Sequence, residues 1–560
     1  MKLKLKVSDI IGGIIANMES PAEEWPDVVN YTYRSLQSTD SDDVEVGLFL
    51  LGMLSLGMES TFCSANVAPT LISIFQKYLS YGSTAPSISI AALQAFISLV
   101  SNIPMEESWD IFQPVLPAVF TGFNSIGSAM KANNGEARSI TSICTYVELL
   151  VEFGTNCPNF FVSQLVLVFE EVMAFLEREI TSREVDAVCH LAIEFLVTLA
   201  ENIPKRVRKM LPPSAAPHKQ SKVEKGYFIS RLFPLLSTMM TSISPDSEYF
   251  AAPSSHADNA PEHPEALHFD VGETALYRIW GVLGLAHTWP TVSAQISVLL
   301  SSHSWVHLYA GLRQLGNYLE VSKAIVEKSQ LKAHREDVVH TFLRHIHHPT
   351  SHVREAACYL VTQLFVSHGE SLSAELLDVL LPPLLRTMDG AGNGSVAARS
   401  SALSAVSAAV DHCALEAVEP RVDEILTCVC QSLTRSCSGG GSGGRGLRPS
   451  FRPELDEQEA ALGVLLSLSE TVKGDQLGRH YSTLMPLLTA LLQHYERSGE
   501  EELWLSALTC TAMVGEASGK ERFKDDALGL MRLVSGAMGR PGGAEERHRS
   551  AFLKVWVRIA

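Results

Sequence analysis

Apolar positions recur along this chain with the three- and four-residue spacing of amphipathic α-helices. Short breaks rich in Pro, Gly, Ser or Asn separate the helical segments. Strand signals are scarce, because strand and helix patterns do not alternate and no Asn-Gly hairpin joins alternating runs. The pattern therefore predicts an all-α protein.

The helical segments form pairs. Residues 330–347 predict a first helix, residues 348–350 a turn and residues 351–367 a second helix. Later second helices begin near Glu457, Glu501 and Glu546, so they follow one another at the HEAT period of about 40–47 residues. Because one pair cannot bury its apolar face alone, we predict an α-solenoid (superhelix) of about ten or eleven stacked HEAT repeats.

The predicted repeats fall into three blocks, at residues 1–211, 274–435 and 456–560. Residues 212–273 carry one predicted helix, 227–242, and then an acidic, Pro-rich insertion at 244–273 whose prolines exclude a continuous helix. Residues 436–455 are Gly-rich and predict a flexible loop within a repeat. The acidic residues of the insertion are Asp246, Glu248, Asp258, Glu262, Glu265, Asp270 and Glu273.

An acidic residue recurs near the end of most predicted second helices. Acids late in a helix oppose its dipole, so helix stability does not explain them. They are either solvated helix ends or a ladder of carboxylates that attracts an extended basic peptide, and the residues alone leave both interpretations open. The stronger candidates are Glu320, Asp411, Glu470 and Glu516, and the weaker ones are Glu152 and Glu201.

Composition narrows the choice of partner. Hydrophobic residues make up 46% of the 560, which excludes disorder for most of the chain. The net charge of −18 disfavours direct nucleic-acid binding and suits basic partners. The uncharged stretch 81–105 contains Pro86, Pro104 and several serines, so we expect a buried helix there and no membrane insertion.

The sequence contains no convincing catalytic, cofactor or metal site. His345, His347 and His348 lie in a predicted turn without Cys or acid partners. Residues 440–444 match G-x-S-x-G only inside the Gly-rich loop, and residues 515–520 depart from the phosphate-loop spacing. We therefore expect a protein that is not an enzyme and needs no cofactor.

One small basic run stands out in this acidic chain, namely Lys205, Arg206, Arg208 and Lys209. It is either a solvated loop or an electrostatic contact for the acidic insertion or for an acidic partner. The residues themselves do not decide between these two interpretations.

Several segments follow one another in an order that resembles a known family. They are residues 272–276, 302–312, 352–358, 467–471 and 514–523, of which His352-Val353-Arg354-Glu355-Ala356-Ala357-Cys358 carries a general HEAT pattern. Together they are similar to the importin-beta (karyopherin-beta) family, closest to its importin-five (karyopherin beta-3) branch. The resemblance extends over nearly the whole chain.

The resemblance implies a nuclear transport receptor that moves between cytoplasm and nucleus through the nuclear pore. It implies that Lys-rich import signals bind the concave second-helix surface, that the GTP-bound form of Ran releases them, and that nucleoporins are partners. It also implies a fragment that lacks the family's N-terminal repeats and the C-terminal half. The alternative is a generic HEAT scaffold, such as a phosphatase regulatory subunit or a microtubule-associated array.

Overall fold

A computed structural model describes residues 10–538, with gaps at 12, 16, 19–23, 104–105, 133–136, 183–184, 211–226, 244–263, 323–329, 390–394, 439–452 and 473–474. Across this part of the chain the regular structure is helical, and no β-strand is present. The contacts define two units. Unit 1 comprises Met1–Ser242 with His268–Ser293, and unit 2 comprises Ile243–Leu267 with Ala294–Ala560.

Unit 1 is built from helix pairs in which odd-numbered helices come first and even-numbered helices second. The second helices α2, α4, α6 and α8 begin at residues 41, 86, 137 and 186, so the repeat is 45 to 51 residues long. In chain order the helices are α1 (Pro26–Leu36), α2 (Ser41–Leu54), α3 (Ala68–Leu79), α4 (Pro86–Asn102), α5 (Leu116–Ala132), α6 (Ala137–Asn156), α7 (Leu165–Glu179), α8 (Asp186–Asn202), α9 (Tyr227–Thr241) and α10 (Pro264–Leu283).

Successive second helices of unit 1 pack side by side, α2 on α4, α4 on α6 and α6 on α8. The ring of Phe96 on α4 meets those of Phe153 and Phe160 edge to face, with centroids 5.9 Å and 5.8 Å away. All three rings are fully buried. Burying one such ring stabilises the fold by roughly 2–4 kcal/mol. Each pair therefore depends on the next for its core.

The helix α11 (Leu285–Leu300) spans the division between the units, and unit 2 continues the pairing after it. Its second helices α12, α14, α16, α18 and α20 pack consecutively. They begin at residues 305, 351, 396, 453 and 501, with the Gly-rich segment inside the longest step. The helices are α12 (Trp305–Ser322), α13 (Gln330–His345), α14 (Ser351–His368), α15 (Ala374–Asp389), α16 (Val396–His412), α17 (Val422–Ser438), α18 (Pro453–Thr471), α19 (Tyr481–Ser498), α20 (Glu501–Ser518) and α21 (Lys520–Met538).

Local sequence sets where several of these helices begin and end. The Ser395 hydroxyl accepts a hydrogen bond from the Ala398 amide at 3.3 Å and so caps the start of α16. Helix α19 ends at Gly499, and α20 ends at Gly519, whose φ angles are +76° and +93°. Only glycine adopts these angles without strain, which separates α19 from α20 and α20 from α21.

The predicted all-α solenoid of HEAT repeats is confirmed, but two predicted boundaries were wrong. Helix α10 begins at Pro264, so residues 264–273 are helical and do not belong to an irregular insertion. Proline is tolerated there because the first turn of a helix needs no amide donor. The predicted loop 436–455 is also shorter, since α17 continues to Ser438 and α18 begins at Pro453. The helix predicted at residues 227–242 is present as α9, Tyr227–Thr241, and it packs on α7 within unit 1.

Candidate functional site

The five second helices of unit 2 share one register along the side that carries the late acids. The residue on this side near the middle of each helix is Arg313, Tyr359, Ser404, Gly463 and Thr509 in turn, of which Ser404 is exposed and the others are half-exposed. A residue seven positions later lies almost two helical turns further along the same face. Those later residues are Glu320, Val366, Asp411, Glu470 and Glu516. We call Glu320, Asp411, Glu470 and Glu516 the acidic row.

The structure brings Asp411 and Glu470 to neighbouring places on adjacent helices. The hydroxyl oxygens of Ser407 on α16 and Ser467 on α18 form a hydrogen bond of 2.9 Å. Asp411 follows Ser407 by four residues and Glu470 follows Ser467 by three, which is one helical turn in each case. Both carboxylates therefore lie one turn beyond the same contact.

Glu516 continues the row on α20. The thiol of Cys510 donates to the main-chain oxygen of Leu462 at 3.3 Å, and this contact fixes the register of α20 against α18. Glu516 and Glu470 each lie about two turns beyond this contact. Asp411, Glu470 and Glu516 therefore stand on three consecutive helices in one line.

The carboxylates of the row are open to solvent. Asp411, Glu470 and Glu516 are exposed, whereas Glu320 is half-buried. Asp411 and Glu470 form neither an ion pair nor a side-chain hydrogen bond within the described part of the chain. Because both lie in the last turn of a helix, the helix dipole does not favour their charge. The row is therefore a negative surface that can attract an external cation.

Helix α14 interrupts the row, because Val366 occupies the position of the acid. Two turns earlier on α14 the Tyr359 ring lies under the Arg313 guanidinium, 3.9 Å from the ring centroid, and its hydroxyl donates to the Asn317 side chain. A Cβ atom at Gly316 would lie 2.6 Å from the Tyr359 ring, so only glycine allows this contact. Sequence reasoning missed this cluster, and the glycine within α12 was the available signal.

The weaker candidates in unit 1 differ from each other. Glu152 is exposed on α6. Glu201 on α8 is bound by the Arg278 guanidinium of α10 at 2.8 Å and 2.7 Å, and the same guanidinium holds Glu194 at 2.6 Å and 2.9 Å. The hydrogen bonds that Arg278 donates to Glu201 and Glu194 raise the pKa of its guanidinium further above its usual range. Glu201 is therefore a carboxylate that is paired within the chain, and its part in a cargo surface stays a prediction.

The acidic insertion is only partly described. Asp246, Glu248, Asp258 and Glu262 lie outside the described residues. Glu265, Asp270 and Glu273 belong to helix α10, where Asp270 is exposed and Glu273 is half-buried. Asp270 and Glu273 are therefore helix-surface residues.

The described residues contain no group of three or more His, Cys, Asp or Glu side chains that could hold a metal ion. Burial raises the pKa of the Cys189 and Cys413 thiols to about 12. In His345 the imidazole lies 2.8 Å from the Thr341 main-chain oxygen, and burial lowers its pKa. These groups behave as core residues.

One helical stretch in the described part of the chain, Pro158–Glu179, is long and apolar enough to cross a membrane by length and composition. Half of its most apolar window is buried inside the protein. Phe169 and Met173 from this stretch lie in the core of unit 1. We interpret it as a core helix.

Comparisons with known proteins agree with this architecture. A family model described as "IPO5-like, TPR repeats" matches residues 1–171. Importin subunit beta-3 of Saccharomyces cerevisiae is 21% identical over 558 residues, which cover 100% of this chain and 45% of that protein. The probable importin-5 homolog of Dictyostelium discoideum is 22% identical over 312 residues, or 55% of this chain and 25% of that protein. These matches make the chain similar to proteins of the importin-beta family.

Solved structures with the same fold cover nearly all of this chain. Kap121p bound to Ste12p superposes with a TM-score of 0.73 at 19% identity, over 96% of this chain and 45% of that one. Kap121p bound to Nup53p gives a TM-score of 0.74 and Kap121p bound to RanGTP gives 0.68, both at 19% identity, 96% of this chain and 45% of that one. At this identity the likeness shows the fold alone.

The chain spans 45% of the length of importin subunit beta-3 of Saccharomyces cerevisiae. The matched family model is named for TPR repeats, whose period is about 34 residues. The second helices of unit 1 are 45 to 51 residues apart, which is closer to the HEAT period of about 40–47 residues.

Proposed function

We propose that this chain is part of a nuclear transport receptor and binds Lys-rich import signals along the acidic row of unit 2. The observation that carries the proposal is the alignment of Asp411, Glu470 and Glu516 on three consecutive helices. The similarity to importin subunit beta-3, and the family model that matches residues 1–171, support it. The role is that of a binding protein and requires no catalytic group.

The spacing of the row favours an extended peptide. Packed helices lie about 8–10 Å apart, and an extended chain advances about 3.3–3.6 Å per residue. Lysines about three residues apart therefore meet successive carboxylates. Because one exposed ion pair contributes only about 0.2–1 kcal/mol, affinity depends on several contacts formed together.

The test is fluorescence anisotropy of a labelled peptide of about 12 residues with Lys at every third position. In the variant Asp411→Asn/Glu470→Gln/Glu516→Gln, we expect binding to weaken by roughly tenfold or more, because three carboxylates are neutralised without a change of size. Added salt should weaken wild-type binding and have less effect on the variant.

The matched control neutralises three exposed acids outside the row, Glu375→Gln/Glu416→Gln/Glu521→Gln. The net charge changes by the same amount, so the control separates the row from the general field of the protein. We expect its affinity to stay within about twofold of wild type. Equal affinities for the row variant and wild type would remove the acidic row as the binding surface.

The proposal includes release by Ran-GTP, contact with nucleoporins and movement between cytoplasm and nucleus. Structures of Kap121p bound to RanGTP and to Nup53p support these partners by family likeness. We expect Ran loaded with a GTP analogue to displace the Lys-rich peptide and Ran-GDP to leave it bound. Displacement by neither form, or by both equally, would contradict this part.

A further inference from the structure

The basic run of unit 1 lies beside a groove that the acidic row does not include. A one-turn helix, Pro204–Val207, follows α8, and Lys205, Arg206 and Lys209 are exposed around it. Arg208 has a separate role, because its guanidinium donates to the main-chain oxygen of Val282 in α10. The other three cations remain available at the surface.

The groove runs along the start of α7. Arg206 and Lys209 line a cavity of about 750 Å³ there, together with apolar side chains that include Leu165, Leu167 and Met210. A second cavity of about 540 Å³ on the α5 side shares Leu167 with the first, and this leucine is 38% exposed. Cavities of this size hold several side chains of a bound segment.

Two cations and two carboxylates line the groove, and both carboxylates have partners within the chain. Glu170 already accepts hydrogen bonds from the Tyr227 hydroxyl and from Arg231, and Glu171 accepts from the Asn124 side chain at 2.7 Å. Arg206 and Lys209 form no ion pair within the described residues. In a chain with a net charge of −18, this groove is a local exception with available positive charge.

We propose that the groove defined by Leu167, Arg206 and Lys209 binds an acidic peptide segment that carries apolar side chains. The apolar side chains pack on Leu167, and the carboxylates pair with Arg206 and Lys209, so charge and shape select the same ligand. Nucleic acid is the poorer fit, because the body of the chain repels phosphates and the groove is lined by apolar side chains. A Lys-rich signal is repelled here, so this surface is independent of the proposed import-signal surface.

The probe is a fluorescent peptide of about 12 residues in which Glu and Asp surround two leucines. We expect Arg206→Glu/Lys209→Glu to weaken its binding to the whole chain by roughly tenfold or more, because two attractive contacts become repulsive. The matched control is Lys524→Glu/Arg532→Glu on α21, which makes the same charge change at two exposed positions and should stay within about twofold.

The apolar half of the site has its own test. Leu167→Ser should weaken binding by roughly threefold to tenfold, while Val298→Ser, at a residue that is 71% exposed, should have no effect. A peptide with both leucines changed to serine should bind the wild-type protein about as weakly as the leucine peptide binds the Leu167→Ser variant. Circular dichroism establishes that each variant is folded.

Three results would overturn the proposal. The first is that the α21 control weakens peptide binding as much as Arg206→Glu/Lys209→Glu does. The second is that the serine peptide binds as tightly as the leucine peptide. The third is that a single-stranded RNA of about 12 nucleotides binds more tightly than the acidic peptide and is weakened equally by Arg206→Glu/Lys209→Glu. Binding of the Lys-rich peptide should be unchanged in Arg206→Glu/Lys209→Glu, so a failure of one surface is distinguishable from a failure of the other.

Discussion

Replacing Arg278 by Met should loosen the contact between α8 and α10 in unit 1. The guanidinium makes four contacts of 2.6–2.9 Å with Glu194 and Glu201, and a methionine side chain cannot make them. Methionine keeps most of the apolar stem and removes the charge. The substitution therefore removes the ion pairs with the two carboxylates and leaves the apolar packing of the side-chain stem in place.

The magnitude follows from the exposure of the three side chains, which is 29% for Arg278, 40% for Glu194 and 33% for Glu201. Exposed single pairs contribute about 0.2–1 kcal/mol, and bidentate charge-assisted pairs contribute more. Two such pairs at this exposure should contribute about 2 kcal/mol in total. A loss of that size raises the local opening equilibrium by roughly 30-fold.

The assay is hydrogen exchange of peptides from α8 and α10, because repeat arrays need not unfold in one step. In a Glu194→Gln/Glu201→Gln background, the same Arg278→Met change should cost less than about 1 kcal/mol, since the charges it paired with are gone. The control is Arg34→Met, at an exposed position of α1 in the same unit. Unchanged exchange in Arg278→Met, or an equal cost in both backgrounds, would refute the reasoning.

Two further predictions concern the helices and thiols of unit 2. Gly369→Ala should lower the free energy of unfolding by about 1–3 kcal/mol, because its Cβ would lie 2.5 Å from the His412 main-chain oxygen. Gly463→Ala should raise the free energy of unfolding by up to about 1 kcal/mol, because Gly463 lies in mid-helix and its Cβ would meet nothing within 4 Å. If urea denaturation finds Gly463→Ala less stable than Gly369→Ala, this account of the packing is wrong. Burial raises the pKa of the Cys428 thiol from 9.0 to about 11. At pH 8, iodoacetamide should therefore alkylate Cys428 roughly 100-fold more slowly in the folded protein than in urea, as measured by mass spectrometry. The alkylation rate of the folded protein should rise with pH up to about pH 11. Equal rates in the two states at pH 8 would contradict the burial of this thiol.

The helix pairs could be predicted from the sequence because the apolar spacing and the breaks are local. The start of α10 could not, because Pro264 in a Pro-rich, acidic stretch indicates a loop unless it lies in the first turn of a helix. The residue at which α10 begins depends on the helices that α10 packs against, and the composition of the stretch carries no information about them.

The acidic row was visible in the sequence as a recurrence, and the structure adds its geometry. The contact between Ser407 and Ser467 places two of its carboxylates together. The pairing of Glu201 with Arg278, 77 residues away, is a tertiary contact that no local pattern signals. The sequence pattern likewise did not reveal that Val366 takes the place of an acid in α14, because acids still recur in the other repeats.

The most direct test of the acidic row exchanges the charges on both sides. The variant Asp411→Lys/Glu470→Lys/Glu516→Lys should lose the Lys-rich peptide and gain a peptide of the same length with Glu at every third position and no apolar side chains. Wild-type protein should show the opposite preference, and Glu375→Lys/Glu416→Lys/Glu521→Lys should bind like wild type. If the reversed row still binds the Lys-rich peptide, or if the outside control switches preference equally, the row is not the binding surface.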